Sequence, residues 1–325
     1  NFQPIETDTA TLQWTVAGHP CSAIGTVYDN SINITPNATI NLNDAKGNTS
    51  FTLSARPAGL VTCDVRGKST HAGTYTDRLG GIIEALLRQE AGFNANQIDN
   101  RTMSAFKSDM DVPVGIAVTE PKEILGIIDE LISGLLTFYG MSREGTFQIN
   151  KFKDPAGGPA KLGVSFAEDI EIRDPFELHY SDQRWRVQLG FDVNETVQND
   201  QSVAGSVTEQ RRSWVSQPYR SVIAQDTTIK DMHNYAEEEE ILVTRLIRRQ
   251  DAQTAANDRL AILGTADPTK QRHTISAPFG VQPLVLDLGD IVSVQRDRYQ
   301  ISGFYRVVGL DEDHVKGQVN LELWR

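Results

Sequence analysis

The chain has 325 residues, of which 39% are hydrophobic and 23% charged, and this balance excludes bulk disorder. Its formal net charge is -12, so the surface as a whole repels nucleic acid phosphates instead of binding them. No apolar run reaches about 18 residues, which excludes a membrane-spanning helix and predicts no stable membrane insertion.

Residues 1–70 are predicted to be all-β. Short runs rich in Val, Ile, Thr and aromatic residues alternate there with Gly, Pro, Asn and Asp. In GLVTCDVRG, at 59–67, the side chains of Val61, Cys63 and Val65 share the face that we expect to be buried. Buried free thiols are the commoner state for Cys21 and Cys63, and the sequence leaves their disulfide state open.

Two amphipathic helices are predicted next. The first carries apolar residues at helical spacing: Leu79, Ile82, Ile83, Leu86 and Leu87. Thr76 or Asp77 should cap its start, and Gly92 should follow its end. The second should run from a cap at Thr119 to Gly140, and the segment 99–120 between them should be a loop with at most one strand.

The remainder of the chain, from about residue 168, is predicted to be β again with one helix that stops at Gly264. The polar segment 198–213 should be a long exposed loop or hairpin. A final hairpin should turn at Asp311–Gly317. Its inward faces should carry Tyr305 and Val307 on one strand, and Val319, Leu321 and Leu323 on the other.

No catalytic, cofactor or metal site is predicted. None of the six histidines stands at the spacing of a metal-binding pair. Turn chemistry accounts better for the acidic pairs, which are Glu168–Asp169, Asp287/Asp290 and Asp311–Asp313. The basic groups are expected to be solvated or to contact an acidic subunit: Arg211–Arg212 and Arg245, Arg248 and Arg249.

Three longer stretches carry a resemblance to a known family. Residues 59–87 join a strand to the first helix, residues 123–157 join the second helix to a strand through an aromatic-Gly turn, and residues 286–325 form the closing meander. Over residues 59–325 this pattern resembles the baseplate or tail-tip hub proteins of long-tailed, siphophage-like bacteriophages and gene transfer agents.

The resemblance implies a mainly β (α+β) fold with two tube-like β-barrel hub domains and an inserted small α/β domain. Residues 1–70 would be part of the first barrel domain, and residues 71–168 the inserted domain with two helices. Residues 169–325 would be the second barrel domain with one helix. The segment 198–213 would reach a neighbouring subunit or the adjoining ring.

The function implied by the resemblance is structural. The chain would form a homotrimeric, pseudo-hexameric ring that joins the tail tube to the tip and forms or gates the DNA channel. Its partners would be the tail tube or a distal tail protein hexamer, tail fibre or tip proteins, the tape measure protein, and DNA only in transit. It would be a non-enzymatic virion protein at the distal end of the tail, assembled in the host bacterial cytoplasm.

Two other functions stay open at this point. A tail-associated carbohydrate or receptor-binding β module would expose Trp14, Trp185 or Trp214 as stacking platforms. A glycan hydrolase would need an Asp/Glu pair that no motif identifies. Because the chain begins at Asn1 and ends on a predicted strand at Trp324–Arg325, we expect a hub core cut from a larger protein.

Overall fold

The computed structural model describes residues 1–68, 73–156, 158, 160–165, 176–267, 271–280, 285–296 and 301–325. Strands make up 37% of the fold and helices 23%, which confirms the prediction of a mainly β protein with helices. Within these ranges, no helix is long and apolar enough to cross a membrane.

Residues 1–68, which we call the N-terminal body, consist of two antiparallel sheets. Their strands are β1 (Ile5–Asp8), β2 (Gln13–Ala17), β3 (Cys21–Asp29), β4 (Ile32–Asn33), β5 (Ala38–Asn41), β6 (Thr49–Leu53) and β7 (Val61–Lys68). The sheet orders are β1-β2-β6-β5 and β4-β3-β7. Because Phe2 pairs with Cys63 of β7 before β1 pairs with β2, the start of the chain joins the two sheets.

Buried apolar side chains from both sheets form the core of the N-terminal body: Trp14, Val16, Ile24, Val27, Phe51, Leu53, Val61 and Cys63. Val65 packs against this core, so the buried face predicted for β7 is confirmed. Cys21 and Cys63 are buried free thiols. Burial raises the pKa of the Cys63 thiol to about 12, which keeps it protonated and unreactive at neutral pH.

Three helices follow in the next part of the chain: α1 (Leu79–Ala85), α2 (Asn100–Asp109) and α3 (Ile124–Ile132). The predicted first helix is α1, which continues as a π-helical turn over Leu86–Glu90. It starts after Arg78, which makes no side-chain cap, instead of after Thr76 or Asp77. Gly92 has a φ of 71°, the left-handed conformation expected after a helix.

The prediction of a loop over residues 99–120 was wrong, because α2 lies there. The Asp99 side chain accepts hydrogen bonds from the backbone N–H groups of Arg101 and Thr102, which caps the helix. Met103 and Phe106, three residues apart, are buried on the inward face of α2. The cap residue and this spacing were the signals in the sequence, but a helix of ten residues gives too few repeats to stand out.

The second predicted helix is shorter than expected. α3 begins after Glu123 and ends at Ile132, instead of running from Thr119 to Gly140. Gly134 then adopts a left-handed φ of 71°. The chain continues as a hairpin of β8 (Thr137–Met141) and β9 (Phe147–Lys151). Of the predicted apolar stripe, Leu135 therefore lies in the turn after the helix and Phe138 lies in β8.

The middle of the chain contains another sheet, built around one long strand. The strands of this sheet are β12 (Arg184–Phe191), β13 (Arg220–Gln225), β14 (Glu237–Glu238) and β15 (Leu242–Val243). The other elements of this part of the chain are the strands β10 (Leu162–Ser165) and β11 (Glu177–Tyr180) and the helices α4 (Glu209–Val215), α5 (Thr227–Met232) and α6 (Arg249–Leu263). β13 pairs antiparallel with β12, whereas β14 and β15 pair with it in parallel. α6 ends before Gly264, as predicted.

Most residues of the segment 198–213 are exposed, as predicted, but the segment contains a helical start at Glu209 and two buried side chains, which a long exposed loop or hairpin would not have. Gln198 and Val203 are only 2% and 5% exposed. Thr208 caps α4 by accepting a hydrogen bond from the backbone of Arg211. Arg212 bonds the carboxylate of Asp200 at 3.2 Å, so charged side chains stabilise this polar segment from within.

The end of the chain forms a six-stranded sheet in the order β10-β17-β18-β19-β16-β11. The new strands are β16 (His273–Phe279), β17 (Ile291–Arg296), β18 (Ile301–Asp313) and β19 (Gln318–Trp324). The sheet encloses its own apolar core, which includes Ile275, Phe279, Val292, Tyr305, Val307, Val319, Leu321 and Leu323. The final hairpin and its inward residues are thus confirmed, with the turn between Asp313 and Gln318.

Three separate apolar cores lie within the described ranges. The third draws on residues between Leu79 and Ala256, and combines α1, α2 and α3 with β12, β13 and α6. In the described ranges each sheet runs as an open path of strands. The two barrels and the domain limits at residues 70 and 168 remain predictions.

Candidate functional site

The two faces of the β12 sheet differ in character. One face packs against α6 through apolar residues: Val187 and Leu189 of β12, Val222 and Ala224 of β13, and Ala252 and Ala256 of α6. Side chains alternate along a strand, so the residues between them lie on the opposite face. The facing pairs there are Arg186 with Gln225, Gln188 with Ile223, and Gly190 with Ser221. We call this surface, together with Arg184 and the glutamates of β14, the polar face.

Arginines and glutamates pair across the polar face. Arg184 Nη1 lies 2.5 Å from Glu237 Oε2, and Arg186 Nη1 lies 3.1 Å from Glu238 Oε2. The parallel pairing of β12 with β14 sets both contacts, because it places each arginine beside its glutamate. Glu239 forms a two-point contact with Arg259 of α6 at 2.6 and 2.7 Å, away from the polar face.

These pairs make the polar face hydrophilic without leaving free cations on it. Arg184 and Arg186 are about one third exposed, at 28% and 31%, so solvent screens the pairs and each contributes about 0–1 kcal/mol to stability. These pairs matter more for what the polar face can bind than for the stability of the chain. A guanidinium that already donates to a carboxylate is a poor ligand for phosphate.

The basic cluster of Arg245, Arg248 and Arg249 has one side chain paired inside the protein and two exposed to solvent. Arg245 donates to Glu130 and, at 2.7 Å, to Glu195 of the same chain. Its partners are therefore internal, which corrects the expectation of a solvated residue or a contact with another subunit. Arg248 and Arg249 are exposed, as expected for solvated side chains.

Metal binding finds no support in the described ranges. No group of three His, Cys, Asp or Glu side chains there could hold a metal ion. Three residues considered from the sequence lie outside the described residues: His71, Glu168 and Asp169.

Of the remaining acidic residues, Asp287, Asp290 and Asp313 lie at turns. Asp290 Oδ2 accepts a hydrogen bond of 2.7 Å from the backbone N–H of Asp287. Asp313 Oδ1 accepts from the backbone N–H groups of Val315 and Lys316 at 3.1 and 2.9 Å, and these bonds lower the pKa of its carboxyl group. The turn interpretation is confirmed for these three residues and was wrong for Asp311 and Glu312, which pair with β19 inside β18.

His273 is partly buried at the start of β16. Its Nε2 lies 2.8 Å from Tyr305 Oη, and its Nδ1 lies 3.0 Å from the carbonyl oxygen of Gln271. A neutral ring fits both contacts, with Nδ1–H donating to the carbonyl and Nε2 accepting from the hydroxyl. Burial lowers the pKa of His273, and the positive charges of Arg325 and Arg272 lower it further.

The stability of the chain is expected to fall below pH 6.5 because of His273. Its pKa is lower in the folded chain than the ordinary 6.5, so the unfolded chain binds more protons between these two values. The stabilising contribution is complete above pH 6.5 and is lost as the pH falls from there towards the folded pKa. Urea unfolding at several values between about pH 5 and 8 should show a smaller acid-induced loss for His273→Gln than for the wild type. His314→Gln, at a ring that is 80% exposed, is the control. Equal losses in all three proteins would contradict this role of His273.

Each of the three candidate tryptophan platforms is either buried or has a cation over its ring. Trp14 is only 5% exposed and lies in the core of the N-terminal body. The ammonium of Lys230 lies 4.5 Å over the ring of Trp185, and the guanidinium of Arg211 lies 4.6 Å over that of Trp214. Trp14 is too buried to act as a sugar platform, and a cation already lies over the ring of each of the other two.

The fold has a counterpart among solved structures. No model of a known protein family and no curated protein matches the sequence. A chain of the virion of a native gene transfer agent particle matches the structure with a TM-score of 0.63 and 14% sequence identity, over 96% of this chain and 77% of that one. The fold is similar to that of a virion protein. At this identity the likeness concerns the fold alone.

Two further solved structures are looser matches. A tail protein from Neisseria meningitidis MC58 gives a TM-score of 0.44 at 13% identity, over 96% of this chain and 80% of that one. The 43 kDa tail protein of prophage MuSo2 from Shewanella oneidensis gives 0.42 at 9% identity, over 88% and 73%. Superpositions with TM-scores below 0.5 are too loose to establish a common fold.

Proposed function

We propose that the chain is a structural protein of a phage-like tail, and within the tail a hub that forms a homotrimeric, pseudo-hexameric ring between tube and tip. The fold similarity to a virion chain over 96% of this chain supports a structural virion role. The hub, rather than another tail position, rests on the sequence resemblance over residues 59–325. The polar face is the observation that supports a channel.

The polar face has the properties that a DNA channel needs. The wall of a channel through which DNA passes should be hydrated, so that the channel stays open. It should also hold no free cations, so that it does not bind phosphates. Paired arginines and glutamates satisfy both conditions on one face of β12, while α6 covers the other face. In the proposed ring the polar face of each copy points to the lumen and α6 lies outside.

The two barrel domains of the proposed hub have counterparts among the described sheets. In the N-terminal body the start of the chain connects both sheets around one core. The six-stranded sheet likewise encloses its own core, with β10 and β11 as its two outer strands. Closure of each sheet system into a barrel, with domain limits near residues 70 and 168, is part of the proposal.

The proposed partners follow from this position in the tail. The ring would contact the tail tube or a distal tail protein hexamer on one side, and fibre or tip proteins on the other. The tape measure protein and DNA would occupy or cross the lumen, at the distal end of the virion tail after assembly in the bacterial cytoplasm. A role without catalysis is part of the proposal. The covered tryptophans give the sugar-binding alternative no support.

The oligomeric state and the symmetry of the assembly test the hub proposal. Native mass spectrometry of the purified chain should show a species of three times 36.0 kDa, and images of it should show a three-fold ring with an open centre. Mixing with the tail tube protein of the same particle should give a capped tube. A chain that stays monomeric at all concentrations and does not bind the tube would contradict the hub.

A further inference from the structure

The N-terminal body contacts the rest of the chain through polar groups. Its core includes only residues up to Val65, and the central core begins at Leu79, so no described apolar core crosses between them. The side chain of Asn1 donates to Asn194 Oδ1 at 3.3 Å and to the carbonyl of Thr196 at 3.1 Å, and Lys68 Nζ lies 2.5 Å from Glu90 Oε1. A further contact joins the turn after β3 to the segment 198–214. We call this contact the clasp, and its members are Tyr28, Asn30, Ser31, Gln198, Ala204, Arg211 and Trp214.

Arg211 lies at the centre of the clasp between two aromatic rings. Its guanidinium is 4.0 Å from the ring centre of Tyr28 in the N-terminal body, and 4.6 Å from that of Trp214 in α4. Both rings are fixed by hydrogen bonds: Tyr28 Oη donates to Asp64 at 3.0 Å, and Trp214 Nε1 donates to Asp192 at 2.9 Å. Cation–π attraction is therefore the main force across this part of the clasp.

The guanidinium of Arg211 is not fully hydrogen-bonded. Its Nε and Nη2 atoms are buried and have no hydrogen-bond partner among the described residues. A buried donor without a partner costs free energy that water would restore on exposure. The closed clasp is thus weaker than its two aromatic contacts alone indicate.

The turn on the other side of the clasp is the two-residue loop of the β3–β4 hairpin. Asn30 and Ser31 have left-handed φ values of 47° and 67°, as the central residues of a type I′ turn require. Ser31 Oγ donates to Gln198 Oε1 at 2.7 Å, and the backbone N–H of Ala204 donates to the carbonyl of Asn30 at 3.1 Å. Gln198 Nε2 is another buried donor without a partner among the described residues.

We propose that the N-terminal body swings away from the rest of the chain as a folded unit, and that the clasp holds it closed. The body keeps its own core when the clasp opens, so opening exposes polar groups and little apolar surface. The buried donors of Arg211 and Gln198 gain water on opening, which favours a readily reversible contact. This motion is a property of the single chain and does not depend on the hub.

Arg211→Ala tests the clasp by hydrogen exchange at one amide. The N–H of Ala204 donates across the clasp to Asn30, so its exchange reports clasp opening. Loss of the cation–π contacts should speed that exchange about tenfold, and Arg211→Lys should give an intermediate rate because it keeps the charge but not the flat guanidinium. The control is Arg101→Ala, at an exposed arginine of α2 far along the chain from the clasp.

The rate at which Cys63 reacts with a thiol reagent distinguishes a swing of the folded N-terminal body from its unfolding. Cys63 is fully buried in the core of the N-terminal body, so a thiol reagent reaches it only when that core opens. In Arg211→Ala, the reaction of Cys63 should stay as slow as in the wild type while Ala204 exchanges faster. A parallel rise in Cys63 reactivity would show that the body unfolds, and an unchanged Ala204 rate would show that Arg211 does not hold the contact. Either result would overturn the proposal.

Discussion

Replacing Glu237 and Glu238 with glutamine is expected to turn the polar face into a DNA-binding surface. Both changes keep the size of the side chain and remove the negative charge, so Arg184 and Arg186 lose their carboxylate partners. In a trimer this frees about six guanidiniums around one lumen, and about six phosphate contacts give a salt slope near -5 for log K against log salt. Affinity for a short duplex should therefore fall roughly a thousandfold between about 50 and 200 mM salt.

Fluorescence anisotropy with a labelled duplex at several salt concentrations measures this effect. Glu240→Gln is the matched control, because Glu240 belongs to the same acidic run and is exposed. The wild type and the control should bind weakly at all salt concentrations. If the double variant binds no better than Glu240→Gln, the polar face does not line a DNA channel. The trimer itself can persist in that case, so the two parts of the proposed function are tested separately.

Only the β12 side of the polar face could be predicted from the sequence. The alternation in RWRVQLGF places Trp185, Val187, Leu189 and Phe191 on one side and the arginines on the other, and the period of a strand makes this prediction simple. The pairing with Glu237 and Glu238 was not predictable in the same way. Those residues lie about fifty positions further along, in a two-residue strand that pairs in parallel with β12. Such a contact is fixed by tertiary packing, and short strands carry no period of their own.

The same distinction explains the other differences between sequence and structure. The closing hairpin was predicted correctly because its two strands are adjacent and strongly alternating. The clasp was missed because Tyr28 and Arg211 are far apart in the sequence and neither is apolar enough to indicate burial. The segment around Arg211 looked exposed on composition alone, whereas aromatic rings and local charge pairs hold it in place.

Phe51→Ala is expected to unfold the N-terminal body before the rest of the chain. Phe51 is fully buried in β6, and its ring centre lies 6.3 Å from that of Trp14 in the same core. Removing a buried phenylalanine side chain costs about 3–5 kcal/mol, a large part of the stability of a small body. Because the three apolar cores are separate, this loss should stay within residues 1–68.

Chemical denaturation followed by two probes, one for each part of the chain, tests this expectation. The reaction of Cys63 with a thiol reagent reports the N-terminal body, and protection of the amides of β18 and β19 reports the six-stranded sheet. In Phe51→Ala the first transition should move to much lower denaturant while the second stays in place. Phe304→Ala is the control for size, since that ring is 38% exposed on β18 and its loss should shift either transition only slightly. If both transitions move together, the chain unfolds as one cooperative unit, and neither a domain limit near residue 70 nor a swinging N-terminal body is tenable.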